Sequence, residues 1–166
     1  MRAYAAAALL QEMRSLRPGS DVTDRLDDAL ATKLVGVLRF RRHHFMAALC
    51  KPGHAAVAFL ANSATEQGHA DAIARRMVEL GAEPTFSPED LISRSHTPFF
   101  ETGTGLAAMA QDGHDTMRTS MSALVALARF VGPADEATRK MLLDIVAEDQ
   151  SRARDLAALA TQLKPS

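Results

Sequence analysis

Apolar positions recur every three or four residues along four long stretches of this chain. That is the period of a helix with one buried stripe. The first stripe reads Leu26, Leu30, Lys33, Val37, Phe40, His44 and Ala47. The second reads Phe59, Ser63, Glu66, Ala70, Ile73, Met77 and Leu80. The third carries Leu106, Ala110, Gly113, Met117, Ser120, Leu124, Leu127 and Val131. The fourth carries Leu142, Ile145, Asp149, Arg152, Leu156, Leu159 and Leu163. Breaks fall at Lys51-Pro52-Gly53, at Gly81 with Pro84 beyond it, and at Gly132-Pro133. Glycine and proline at those places end helices and turn the chain. The pattern predicts helices over residues 21–50, 54–80, 104–131 and 135–162.

Short turns join the first two helices and the last two, so each pair is an antiparallel hairpin. Residues 82–103 between the hairpins hold Pro84, Pro88, Pro98 and Gly103 and few periodic apolar positions. Ser87-Pro88-Glu89-Asp90 can open one short helical turn there. Each long helix spans about 40 Å, and about 22 extended residues at ~3.3 Å each can run back along it. Short turn, long crossover, short turn is the topology of an all-α, ferritin-like four-helix bundle. The bundle takes residues 21–166. Residues 1–20 form an N-terminal helical extension, helical to about residue 16 and broken at Arg17-Pro18-Gly19-Ser20.

Charges on buried stripes carry the candidate chemistry. Lys33, Glu66, Asp149 and Arg152 each fall on a stripe or its edge, two per hairpin. Counting residues from the turns at about 1.5 Å each puts all four near mid-bundle, level with Met117. A buried charge needs an opposite charge or a cation. Two positive and two negative side chains can pair, so Lys33 is expected on Glu66, and Arg152 on Asp149 or Glu66. Glu66 and His69 are three residues apart and share a helix side, a spacing that bundles use for metal ligands. Arg39, Arg41 and Arg42 are expected to face solvent. His43 is assigned to polar surface, and His54, His96 and His114 show no ligand spacing with one another.

Composition narrows the function classes. Hydrophobic residues make up 47% of the 166, aromatics only 5%, and Trp is absent, a balance that suits helices better than strands. The net charge of −1 gives no drive toward nucleic acid or anionic lipid. One cysteine, Cys50, suits a reducing cytoplasm without a disulfide framework. No apolar run reaches the ~20 residues of a membrane span. Residues 3–10 read as part of an amphipathic surface helix, not a cleaved signal. That extension is Ala/Leu-rich and not Lys-rich, so DNA binding is not expected of it. No phosphate loop, nucleotide fingerprint or nucleophile triad is present.

Several runs resemble the bacterioferritin branch of the ferritin-like family, which is also related to the small Dps-type ferritins. They are Ala31-Thr32-Lys33-Leu34-Val35, Arg41-Arg42-His43-His44-Phe45-Met46, Glu66-Gln67-Gly68-His69-Ala70-Asp71, Phe86-Ser87-Pro88, Ser93-Arg94-Ser95-His96 and Arg139-Lys140-Met141-Leu142. The Glu66–Asp71 run is the most specific. The resemblance implies iron storage and a di-iron ferroxidase centre, built from one Glu on each of two helices and Glu-x-x-His on each of the other two. Here the first-helix Glu matches Lys33, the second-helix pair Glu66 and His69, the third-helix Glu Met117, and the last-helix pair Asp149 and Arg152. Glu66, His69 and Asp149 are therefore remnant metal ligands, and Lys33, Arg152 and Met117 replace the rest of the site. No catalytic residue is assigned. The family is a ferroxidase family, but this chain reads as lacking the activity.

No cofactor is expected, with a single Fe or Zn on Glu66 and His69 as the alternative. Bacterioferritins bind haem through a Met directly after the second-helix Glu; Gln67 stands there, so no haem is expected. The sequence also lacks the short fifth helix that bacterioferritins place at their four-fold axes. A homo-oligomer is implied, as a dimer or a 12- or 24-subunit shell, or co-assembly with an active ferritin subunit. The competing functions are an active iron-oxidising protein with an altered site and a Dps-like DNA-protecting protein.

Overall fold

The computed structural model describes residues 21–50, 53–101 and 105–163; the expected extension over residues 1–20 lies outside them. Four long helices make a bundle: α1 (Val22–Ala48), α2 (His54–Glu79), α4 (Leu106–Val131) and α5 (Glu136–Gln162). A seven-residue helix, α3 (Pro88–Arg94), lies in the crossover, and a 3-10 turn (Gly132–Asp135) precedes α5. No strand occurs among the described residues. Helix α1 packs along α2 and α4 along α5; α1 also packs on α4, and α2 more lightly on α5.

The helix ends follow from local chemistry. Asp21 caps α1, its carboxylate accepting the Asp24 N–H at 2.9 Å, as an N-cap residue should. Asp135 caps α5 in the same way, accepting the Thr138 N–H at 3.0 Å. It also accepts both Arg76 Nη2 contacts, at 3.0 and 3.1 Å. The Thr138 hydroxyl and backbone bonds, with Arg76 behind them, hold the Asp135 carboxyl down to about 2. Arg76 thereby ties the end of α2 to the start of α5. Gly132 ends α4 with φ +62, a left-handed conformation that side chains disfavour.

The crossover is strapped to α1 by side chains at successive heights. Asp27 accepts the Thr85 N–H at 2.9 Å and pairs with Arg94. The Thr32 hydroxyl oxygen accepts the His96 N–H at 2.8 Å and lies 2.7 Å from His96 Nδ1. Arg39 donates to the Pro98 carbonyl, and Arg42 donates to the Glu101 carbonyl at 2.7 Å. These bonds satisfy crossover backbone groups that have no helix or sheet partner.

Every apolar stripe position named for α4 is buried. Three departures from the sequence reading concern charge and helix faces. Arg39 is buried, not solvated: it is 3% exposed and pairs with Asp112 of α4 at 3.1 Å. His43, not His44, continues the α1 stripe from Phe40 to Ala47. It is 1% exposed, against the Phe40 and Phe59 rings, while His44 is half-buried. Leu80, placed on the α2 stripe, is exposed. The first two have one cause. Helix α1 is covered by α4 and by the crossover as well as by α2, so its buried arc is wider than one stripe.

Candidate metal centre and its ion pairs

The apolar core divides into two clusters. One gathers Phe40, Phe59, Met109 and Leu156 near the α1–α2 turn. The other gathers Leu30, Ile73, Leu124 and Leu142 toward the opposite end. Between them lies a charged layer contributed by three helices. Lys33 of α1, Glu66 of α2 and Asp149 of α5 are 0%, 4% and 0% exposed. Isolated charges at that burial would be very costly, and none of these is isolated. Lys33 Nζ stands 2.5 Å from Asp149 Oδ2 and 3.4 Å from both Glu66 oxygens.

Arg152 enters from α5, one turn beyond Asp149. Its Nη1 donates to Glu66 Oε1 at 3.0 Å and to Asp149 Oδ1 at 2.7 Å. Its other nitrogens donate to Asn62 of α2, Nε to Oδ1 at 2.9 Å and Nη2 to the carbonyl at 3.0 Å. The guanidinium fork is thus filled on both edges, the use to which arginine is best suited. Each carboxylate meets both cations. Neither cationic head lies in bulk water: the Lys33 side chain is 0% exposed and that of Arg152 12%.

His69 sits on the α2–α5 side of this layer. Its Nε2 lies 3.0 Å from Glu148 Oε2, and its Nδ1 lies 3.4 Å from Asp149 Oδ1. Nδ1 is buried and makes no hydrogen bond. Glu66, His69 and Asp149 each offer a ligand atom within 4.8 Å of the others, and no other such group of three or more occurs among the described residues. Met117 is buried across the bundle, on α4. It lines, with Gly36, Thr116 and Ser120, a narrow cleft beside Glu66.

Residues 23–165 match the family of ferritin-like domains. The chain belongs to the ferritin-like family. No protein of curated function matches its sequence. Among solved structures it is similar to a dodecameric thioferritin, described as a bacterioferritin-related protein from Bacteroides fragilis. The TM-score is 0.80 and the identity 19%, over 95% of this chain and 93% of that one. At that identity the likeness establishes the fold.

Three participants in this ferritin-like bundle escape the sequence reading. Asn62 holds the outer edge of Arg152, Glu148 holds the far side of His69, and Gly36 makes room for Glu66. Asn62 is four residues before Glu66 and so on its helix side, a signal that was legible. Glu148 is half exposed and carries no pattern signal. At Gly36 a Cβ would fall 2.6 Å from Glu66 Oε2, inside van der Waals contact. Helix propensity alone favours Gly36→Ala by about 0.5–1 kcal/mol. Because Lys33 and Arg152 pin that carboxylate, the added methyl must instead strain it, at about 1–3 kcal/mol. Gly36→Ala is therefore expected to lower stability in urea denaturation. A variant as stable as the parent would mean that Glu66 relocates without loss.

Proposed function

We propose that this chain is a subunit of a ferritin-like, iron-handling assembly that runs no di-iron ferroxidase reaction of its own. One observation carries the reading: Lys33 Nζ lies between Glu66 and Asp149, where a metal ion would need those same oxygens. Two Fe²⁺ ions bring four positive charges, and the donor trio of Glu66, His69 and Asp149 supplies two negative ones. Lys33 and Arg152 already neutralise both. Metals entering beside those cations would be repelled by several kcal/mol at the effective dielectric of a protein interior. Met117 offers only a soft thioether at the remaining position, a poor partner for Fe²⁺ beside carboxylates. The residues present do not fit a di-iron pair, and no redox step is derived through one.

Iron in this reading is cargo of the assembly, oxidised elsewhere or by another subunit. The dodecameric state of the thioferritin supports self-assembly of this chain. No described helix is long and apolar enough to cross a membrane. Anaerobic protein given two Fe²⁺ per subunit and then oxygen tests the proposal. Oxidation is expected at the rate of a protein-free control. A fast phase that consumes two Fe²⁺ per subunit would overturn it.

A second reading rests on His69 Nδ1, which is buried, without a hydrogen bond and turned toward Asp149. One divalent ion there would draw on Glu66, His69 and Asp149, at the expense of the Lys33 contacts. Metal analysis of protein grown with iron and zinc separates the two readings: one equivalent bound, and lost in His69→Ala, favours the second. A DNA-protecting role draws on residues 1–20, outside the described residues; a salt-sensitive gel shift would be its signature.

A further inference from the structure

The hydroxyls of α4 close onto their own helix, with one exception. Thr116, Thr119 and Ser122 each donate to the carbonyl four residues back, at 2.7, 3.2 and 3.0 Å. Ser120 does not. Its Oγ is buried and has no hydrogen-bond partner among the described residues, and the residue as a whole is 5% exposed. Native proteins seldom keep a buried hydroxyl unpartnered. Ser120 lines the cleft that Gly36, Thr116, Met117 and Glu66 also line. Glu66 turns Oε2 toward Gly36, where a Cβ would fall 2.6 Å from that oxygen. Oε2 meets Lys33 Nζ at 3.4 Å, longer than the ~2.7–2.9 Å of a charge-assisted hydrogen bond. The other three carboxylate oxygens of the charged layer each have a cationic nitrogen at 3.0 Å or less. One cleft therefore gathers an unpartnered hydroxyl and the least satisfied oxygen of the buried ion pairs.

We infer that this cleft holds one buried water molecule, which donates to Glu66 Oε2 and is bonded by Ser120 Oγ. The room in the cleft is about 10 Å³, which suits a single water and nothing larger. A buried water takes about three polar partners, and the cleft supplies them. Glu66, as an ion-paired carboxylate, only accepts. Thr116 Oγ1 already donates to the Asp112 carbonyl, so toward the cleft it also accepts. Ser120 is the donor. The water gives its two protons to Glu66 and Thr116 and accepts that of Ser120, which leaves every group satisfied. A cation is a poorer occupant: Arg39 lines the cleft and Lys33 stands on Glu66, and both repel a further positive charge. Gly36 thus leaves space for solvent as well as for the carboxylate. The inference is independent of whether the chain assembles or handles iron.

A high-resolution crystal structure of the full chain tests it directly. A water peak is expected within about 2.7–3.0 Å of both Ser120 Oγ and Glu66 Oε2. A cleft without density would overturn the inference, and so would an anomalous-scattering peak that marks a metal ion there. Urea denaturation of Ser120→Ala tests it in solution, with circular dichroism verifying the fold. Alanine is the better helix former and removes the hydroxyl, so an unpartnered Ser120 predicts a raised midpoint. A Ser120 that holds the water predicts a lowered one, because the water loses its donor. A midpoint at or above the parent's would overturn the inference.

Discussion

Lys33→Met is expected to lose about 3–5 kcal/mol of folding stability, the range for removing one member of a buried ion pair. The choice of methionine isolates the electrostatic effect. It is unbranched and close to lysine in length, so it leaves no large cavity and fills the space with adaptable packing. What it removes is the charge that faces two buried carboxylates. Asp149, fully buried, would keep only Arg152, and Glu66 would share that same guanidinium. The bundle's centre would carry a net negative charge with no water to screen it. Adding Asp149→Asn to Lys33→Met removes that surplus, so the double variant is expected to regain part of the loss. Urea denaturation at pH 7 measures both, and the double-mutant cycle gives the coupling. A Lys33→Met protein as stable as the parent would mean that the ion pairs contribute nothing net to folding. Arg152 has a milder expected effect, because its guanidinium is partly exposed and water can follow a shorter side chain into the gap.

The layer with the largest expected energetic effect was also the most legible part of the sequence. A charge in a run of apolar residues at helical spacing is unusual, and residue counting from two tight turns puts Lys33, Glu66 and Asp149 at one height. The crossover was legible for a related reason: proline and glycine without periodicity cannot make a fifth long helix. What escaped depends on contacts between elements distant in sequence. Arg39 and Arg42 read as a solvated face because nothing local reveals that the crossover returns along α1. The carboxylate that accompanies Arg39, Asp112, is 73 positions away. His43 and His44 are neighbours, and either fits a stripe with steps of three or four. Helix phase alone does not choose between them, and the choice falls to the aromatic rings of Phe40 and Phe59. Gly36 carries no pattern either, because an absent side chain is informative only once the group occupying its space is known.

His43 is expected to make the bundle lose about 3 kcal/mol of stability between pH 6.5 and pH 4, the equivalent of its pKa depression. Burial is the main cause: it pushes the imidazole from 6.5 down to about 4, against the pull of Asp112 in the other direction. Arg39 and Arg42, on the same helix, add to the depression. From α2, Phe59 presents a ring 5.3 Å from the imidazole, centre to centre, and from α4 Asp112 comes no closer than 3.6 Å. Nδ1 is buried without a hydrogen bond, so the folded state offers a new proton there no acceptor. Above pH 6.5 the imidazole is neutral in both states and the effect is absent. Below it the unfolded chain takes up a proton that the folded chain refuses, and stability falls with pH until the folded imidazole also titrates near 4. Asp135 acts in a separate window: its folded carboxyl titrates near 2 against an ordinary value of 3.8, so its contribution is lost only as pH falls through that lower range. His43→Leu should keep the packing against Phe59, remove the titrating group and flatten the stability profile between pH 7 and 4. The measurement is a set of urea midpoints at half-unit pH steps for both proteins. Equal slopes would assign the acid sensitivity to other groups and leave His43 an ordinary packing residue.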